Sequence, residues 1–98
     1  MRIKLLSLSF IFLTVAPVAA QELRVSLRSE NGPLPYAYLY LNGRAAAVTD
    51  TLGVARLGTG RWHTGDTLTA SYAGMTPESR VIDAETARQG HCTLVLQE

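Results

Sequence analysis

The sequence predicts an all-β protein: a single antiparallel Greek-key β-sandwich of about seven strands, placed after a cleavable N-terminal export signal. Short apolar–polar alternations recur along residues 21–98. Gly, Pro, Asn and Asp separate them at the spacing of a sandwich. No long segment of helical period lies between them, which argues against a parallel α/β sheet. In a sandwich, alternate residues of each strand are buried between two sheets.

Residues 1–20 carry the three parts of a secretory signal. Arg2 and Lys4 are basic, Leu5 to Val15 is an apolar run, and Pro17-Val18-Ala19-Ala20 offers a helix breaker and small residues for cleavage. The run is shorter than the roughly 20 apolar residues of a membrane span. Cleavage is expected after Ala20, which leaves one domain, 21–98, with no membrane span and no cysteine near its new N-terminus. Its location is then the periplasm, the cell surface or the medium.

The elements follow in order. Leu23, Val25 and Leu27 alternate with Arg24, Ser26 and Arg28, the mark of a half-buried strand. Ser29-Glu30-Asn31-Gly32-Pro33 is turn chemistry, and Pro33 and Pro35 are expected to stop pairing. Tyr36 to Leu41 is a strand by residue type, followed by Asn42-Gly43, a hairpin signal. Ala45 to Thr49 is a weaker strand. Asp50-Thr51-Leu52-Gly53 turns the chain into a short strand, Val54 to Leu57. A loop from Gly58 to Gly65 carries Trp62 and His63, then Thr67 to Tyr72 alternates and Ser79 to Ile82 is short. Asp83 caps a helical turn that Gly90 ends. Cys92 to Leu96 is the last strand.

Composition narrows the function classes. Removing Arg2 and Lys4 with the signal turns the net charge from +1 to −1, and every remaining basic residue is Arg. Without a basic excess, nucleic acid is not an expected partner. Cys92 rules out an internal disulfide because it is the only cysteine. Exported, it would be a free thiol or an intermolecular bridge, but alternation with Leu94 and Leu96 favours a small buried hydrophobe. His63 and His91 stand apart, with no second ligand at metal spacing and no Gly-x-Ser-x-Gly elbow. Asp50 and Asp66, in separate turns, fall well short of the oxygens calcium needs. No catalytic residue, metal or cofactor is expected, and a small hydrolase is the remote alternative.

Asn31-Gly32-Pro33-Leu34-Pro35, an apolar strand, Asn42-Gly43, Thr49-Asp50-Thr51-Leu52-Gly53, Gly65-Asp66-Thr67-Leu68 and Ser71-Tyr72-Ala73-Gly74 together resemble the carboxypeptidase-regulatory-like domain. That family is a transthyretin-like Greek-key sandwich, common in exported proteins of the Bacteroidetes type and often found ahead of TonB-dependent outer-membrane receptors. The resemblance covers Leu23 to Leu96. It implies that Gly32, Pro33, Pro35, Asp50, Gly53, Gly65 and Asp66 hold turns and do no chemistry. It also implies an accessory role toward a larger neighbour, such as an envelope protein or a component of an outer-membrane receptor. The chain departs from the pattern at three places. Tyr36 stands where the family usually has Gly, Ala55 lies near a usual aromatic, and Met75 replaces an aromatic after Gly74. A tyrosine or Trp62 could refill the space left at Ala55. A hydrolase of purine catabolism shares the transthyretin-like fold but ends Tyr-Arg-Gly-Ser, whereas this chain ends Val95-Leu96-Gln97-Glu98.

Tyr36, Tyr38 and Tyr40 alternate on the second strand, so on an extended chain they share one face about 7 Å apart. The family pattern puts Ala37, Leu39 and Leu41 inward and the tyrosines outward. One reading covers the rings with cross-strand neighbours or with the loop bearing Trp62. The other makes them, with Trp62, a surface for a partner. The function expected is a non-catalytic interaction module acting in trans on an envelope protein, by edge-strand addition for example. The alternative is a carbohydrate-binding module that uses the same tyrosine row for a glycan.

Overall fold

The computed structural model describes residues 22–98. The expected signal segment, 1–20, lies outside the described residues. The chain is an all-β sandwich of eight strands and one short helix: β1 Leu23–Ser29, β2 Gly32–Pro33, β3 Tyr38–Leu41, β4 Arg44–Val48, β5 Val54–Leu57, β6 Thr67–Ser71, β7 Glu78–Val81, α1 Ala84–Gln89 and β8 His91–Val95. In the first sheet β1 is central. β5 and β2 pair end to end along one of its sides and β8 pairs along the other. The second sheet runs β4-β3-β6-β7. Every pairing is antiparallel except β1 with β8, which is parallel from Arg24↔His91 to Arg28↔Val95.

Alternation dictates the core. Leu23, Val25 and Leu27 of β1 face Leu39 of β3 and Leu68 and Ala70 of β6, and all are fully buried. Cys92, Leu94 and Leu96 close the same layer from the last strand, so Cys92 is a buried hydrophobe and burial pushes its thiol up. Trp62, Tyr72 and Met75, half-buried, pack against the core. Asp83 caps α1, its carboxylate accepting from the Thr86 N–H at 2.8 Å, and Gly90 at φ +78° ends the helix in the left-handed region.

Two expectations are corrected. Pro33 does not stop pairing: Gly32 and Pro33 form β2 against Arg28 and Ser29. Proline is tolerated there because β2 is an outer strand and its missing N–H has no ladder bond to make. The second strand begins at Tyr38, not Tyr36. Pro35 and Tyr36 form a turn, with Tyr36 at φ +61°. Proline followed by a positive-φ residue is the pattern of a type II turn, which is why glycine suits the second place.

Candidate functional site

The turn before β3 is fixed by one buried hydroxyl. Thr49 Oγ1 donates to the Leu34 carbonyl at 2.6 Å and accepts from the Ala37 N–H at 2.8 Å. The Tyr36 N–H donates to the Thr49 carbonyl at 3.1 Å, and the Thr49 N–H donates to the Ala37 carbonyl at 2.9 Å. Thr49 is 2% exposed. These four bonds clamp Leu34 to Ala37 against the end of β4. They hold the Tyr36 backbone in the left-handed region and leave its side chain 63% exposed.

From this clamp β3 runs outward-inward-outward. Ala37 and Leu39 are buried, Tyr38 is 55% exposed and Tyr40 is half-buried. Register places Tyr38 between Val48 of β4 and Ser71 of β6, and Tyr40 between Ala45 and Thr69. Continuing across β6 to β7 adds Ser79 and Val81 opposite Thr69 and Thr67. The outer face of the second sheet is therefore aromatic, small and hydroxyl-bearing, with no charged residue at these positions. Beside it, the Asp50–Gly53 turn rests its last backbone unit on Pro33 and Leu34 and leaves Leu52 exposed. Tyr36, Tyr38, Val48 and Leu52, four of the six large exposed hydrophobics among the described residues, thus gather around one end of β3.

Trp62 does not join them. Its loop is tied to the other end of β3. Asn42 donates to Asp66 Oδ1 at 3.0 Å and accepts from the Thr67 N–H at 2.9 Å, while Asp66 Oδ2 accepts from the His63 N–H at 2.9 Å. The indole packs half-buried against the core. Tyr36 is exposed with Tyr38, but from a turn and not from the strand, and Tyr40 is half-buried. Val48, Leu52 and Thr49 were missed by sequence reading. Val48 could have been found by pairing an exposed strand residue with Tyr38. The bonds of Thr49 to residues 12 and 15 positions away leave no local signal.

The turn carboxylates are occupied as acceptors. Asp50 Oδ1 takes N–H bonds from Leu52 at 2.8 Å and Val54 at 3.0 Å, with Val54 the larger cause holding Asp50 below the usual carboxylate range. Asp66 is lowered first by the Asn42 amide and then by the His63 N–H. Among the described residues no group of three His, Cys, Asp or Glu side chains could hold a metal ion. An open groove of about 620 Å³ beside β4 is lined by Arg44, Arg61, His63 and Asp66, and the ion-pair partner of His63 there is Asp66, 3.9 Å away. No helix among the described residues is long and apolar enough to cross a membrane.

No family model matches the sequence, and no curated protein matches it. Among solved structures, the chain is similar to the C-terminal domain of the PapC usher, with a TM-score of 0.52 and 24% identity, covering 79% of this chain and 96% of that one. The likeness shows a shared β-sandwich fold.

Proposed function

We propose that this chain is a non-catalytic interaction module of the cell envelope, exported on residues 1–20, and that it binds a protein partner through Tyr36, Tyr38 and Tyr40 with Val48 and Leu52 around them. One observation carries the reading: Tyr36 occupies a left-handed turn at φ +61° and exposes 63% of its surface. A non-glycine residue there costs about 1–2 kcal/mol of backbone strain. The ring returns little of that to the core, so its use lies outside the fold. Tyrosine is suited to interfaces because it combines a large apolar body with a polar tip.

The mode proposed is strand addition at β4 with side chains read by the tyrosine face. β4 begins at Arg44 and bulges between its pairs with Leu39 and Tyr40, but Ala45 to Val48 are uncharged, whereas the opposite edge, β7, carries both Glu78 and Arg80, the kind of charges that discourage pairing. Kinship with the carboxypeptidase-regulatory-like domain is part of this proposal. Its support is the positive φ at Tyr36, where that family usually has glycine. The likeness to one domain of an usher supports a module that works beside other protein parts.

The test is photocrosslinking in living cells from a benzophenone amino acid placed at Val48. A defined partner should be captured by the parent chain and lost in Tyr36→Gly and in Tyr38→Ala/Tyr40→Ala. Tyr36→Gly should also melt higher than the parent, because it relieves the turn. Unchanged capture by the double variant sinks the proposal. Binding on a glycan array that the double variant abolishes would assign the face to sugar instead.

A further inference from the structure

The outer face of the first sheet has the opposite character. Register puts Arg56, Arg24 and His91 side by side across β5, β1 and β8, then Val54, Ser26 and Thr93, then Pro33, Arg28 and Val95 across β2, β1 and β8. Arg24, Arg28, Arg56 and His91 are all exposed. Arg24 and Arg56 are directly opposed, an arrangement that disfavours the sheet. Glu22 and Asp50 reach Arg56 only at 3.8 and 3.9 Å, and neither Arg24 nor Arg28 has an ion pair among the described residues. The described residues, with seven Arg against eight Asp and Glu, therefore concentrate three of those arginines on one face.

We propose that this face binds an acidic polysaccharide laid along β1, its carboxylate or sulfate groups taken by Arg24 and Arg28 and its hydroxyls by Ser26 and Thr93. Charge complementarity requires an anion, and the planar guanidinium fork matches carboxylate and sulfate oxygens in pairs. Arg24 and Arg28 are four residues apart on one strand, about 13 Å. Between them lies a row with hydroxyls and no cation. A chain of sugars with a carboxylate on each ring offers anions to both arginines and hydroxyls to the row between them. A nucleic acid duplex carries a charge about every 1.7 Å, and it would press phosphates on Glu22 and Asp50. The face carries arginines but no Trp or Tyr to anchor them in a desolvated protein pocket. Its apolar side chains are the half-buried Val54 and the exposed Val95 and Pro33, without the Trp, Phe or Leu with which a membrane-surface element enters a bilayer. The proposal is independent of the tyrosine face on the other sheet.

The experiment uses the protein purified from the cells that make it and a fluorescent polygalacturonate oligomer as probe, with neutral dextran, a 20-base-pair DNA duplex and phosphatidylglycerol vesicles alongside. Binding to polygalacturonate should weaken steeply with salt. It should weaken roughly tenfold or more in Arg24→Gln/Arg28→Gln, whose melting temperature should not fall, and stay unchanged in Tyr38→Ala. Dextran should not bind. The proposal is overturned if polygalacturonate does not bind at low salt, if the double arginine variant binds as well as the parent, or if DNA or vesicles bind more tightly than the polysaccharide.

Discussion

At the scale of single residues, Thr49 and Tyr36 form one device. Thr49 Oγ1 satisfies a buried carbonyl and a buried N–H at once, and so closes the turn that presents Tyr36. Thr49→Val keeps the shape and removes the oxygen. Leu34 O and Ala37 N–H are then left without their partner in a buried site, at a cost of about 2–4 kcal/mol in all. For a domain of this size that corresponds to a fall of roughly 10 °C or more in melting temperature. Calorimetry of Thr49→Val beside Thr49→Ser, which keeps the oxygen, separates the hydrogen bonds from the methyl packing. A Val variant that melts with the parent would show that the clamp holds nothing. Cys92 makes a second residue-scale case. Its thiol, 5% exposed and pushed up by burial, should react with a disulfide reagent at least about a hundredfold more slowly in the native protein than in urea.

At the scale of elements, most strands were legible because their information is local. β5 falls where the alternation of Val54 to Leu57 puts it, and β1, β3, β4, β6, β7 and β8 lie within two residues of their expected bounds. The Asn42-Gly43 hairpin is legible for the same reason: both residues take positive φ, 52° and 84°. What was not legible is non-local. Pro33 pairs because it lies on an outer strand, a fact about neighbours and not about proline. The parallel union of β1 with β8 joins the two ends of the domain, and no local pattern encodes it. The tyrosines were legible as outward-facing residues, but the turn that separates Tyr36 from the strand needed its φ. The Asp50–Gly53 turn supplies the prediction at this scale. A Cβ on Gly53 would stand 2.8 Å from the Leu27 carbonyl oxygen and 3.0 Å from Leu34 N, at φ +78°. Backbone atoms of β1 cannot yield without opening the sheet. Gly53→Ala should therefore cost about 3 kcal/mol, the sum of a left-handed strain and a collision. Gly74→Ala, at φ +83° with nothing within 4 Å, should cost only about 1 kcal/mol. Equal losses in urea titrations of the two variants would remove the collision from the account.

At the scale of the molecule, the outer faces of the two sheets differ, one neutral and aromatic, the other cationic, while three aspartates, Asp50, Asp66 and Asp83, sit in turns and at a helix cap. Those aspartates set the response to acid. Asp50, Asp66 and Asp83 are all held below the usual carboxylate range, each by hydrogen bonds to its charged form. For Asp83 the donors are the Thr86 N–H first and its hydroxyl second. A carboxylate with a depressed folded pKa binds a proton less readily folded than unfolded. Its contribution to stability is present above the unfolded value of about 3.9 and is lost as pH falls through the folded value. The midpoint of urea unfolding should thus stay nearly flat from about pH 7 to pH 5 and decline below about pH 4. Asp66→Asn should be less stable than the parent at neutral pH, because the amide replaces a charged acceptor between Asn42 and the His63 N–H. It should also decline less steeply in acid, since one titrating group is gone, and Asp50→Asn/Asp66→Asn/Asp83→Asn should decline least. If the triple variant lost stability as steeply as the parent between about pH 5 and pH 3, the acid sensitivity would belong to other groups and the turn carboxylates would be electrostatically idle.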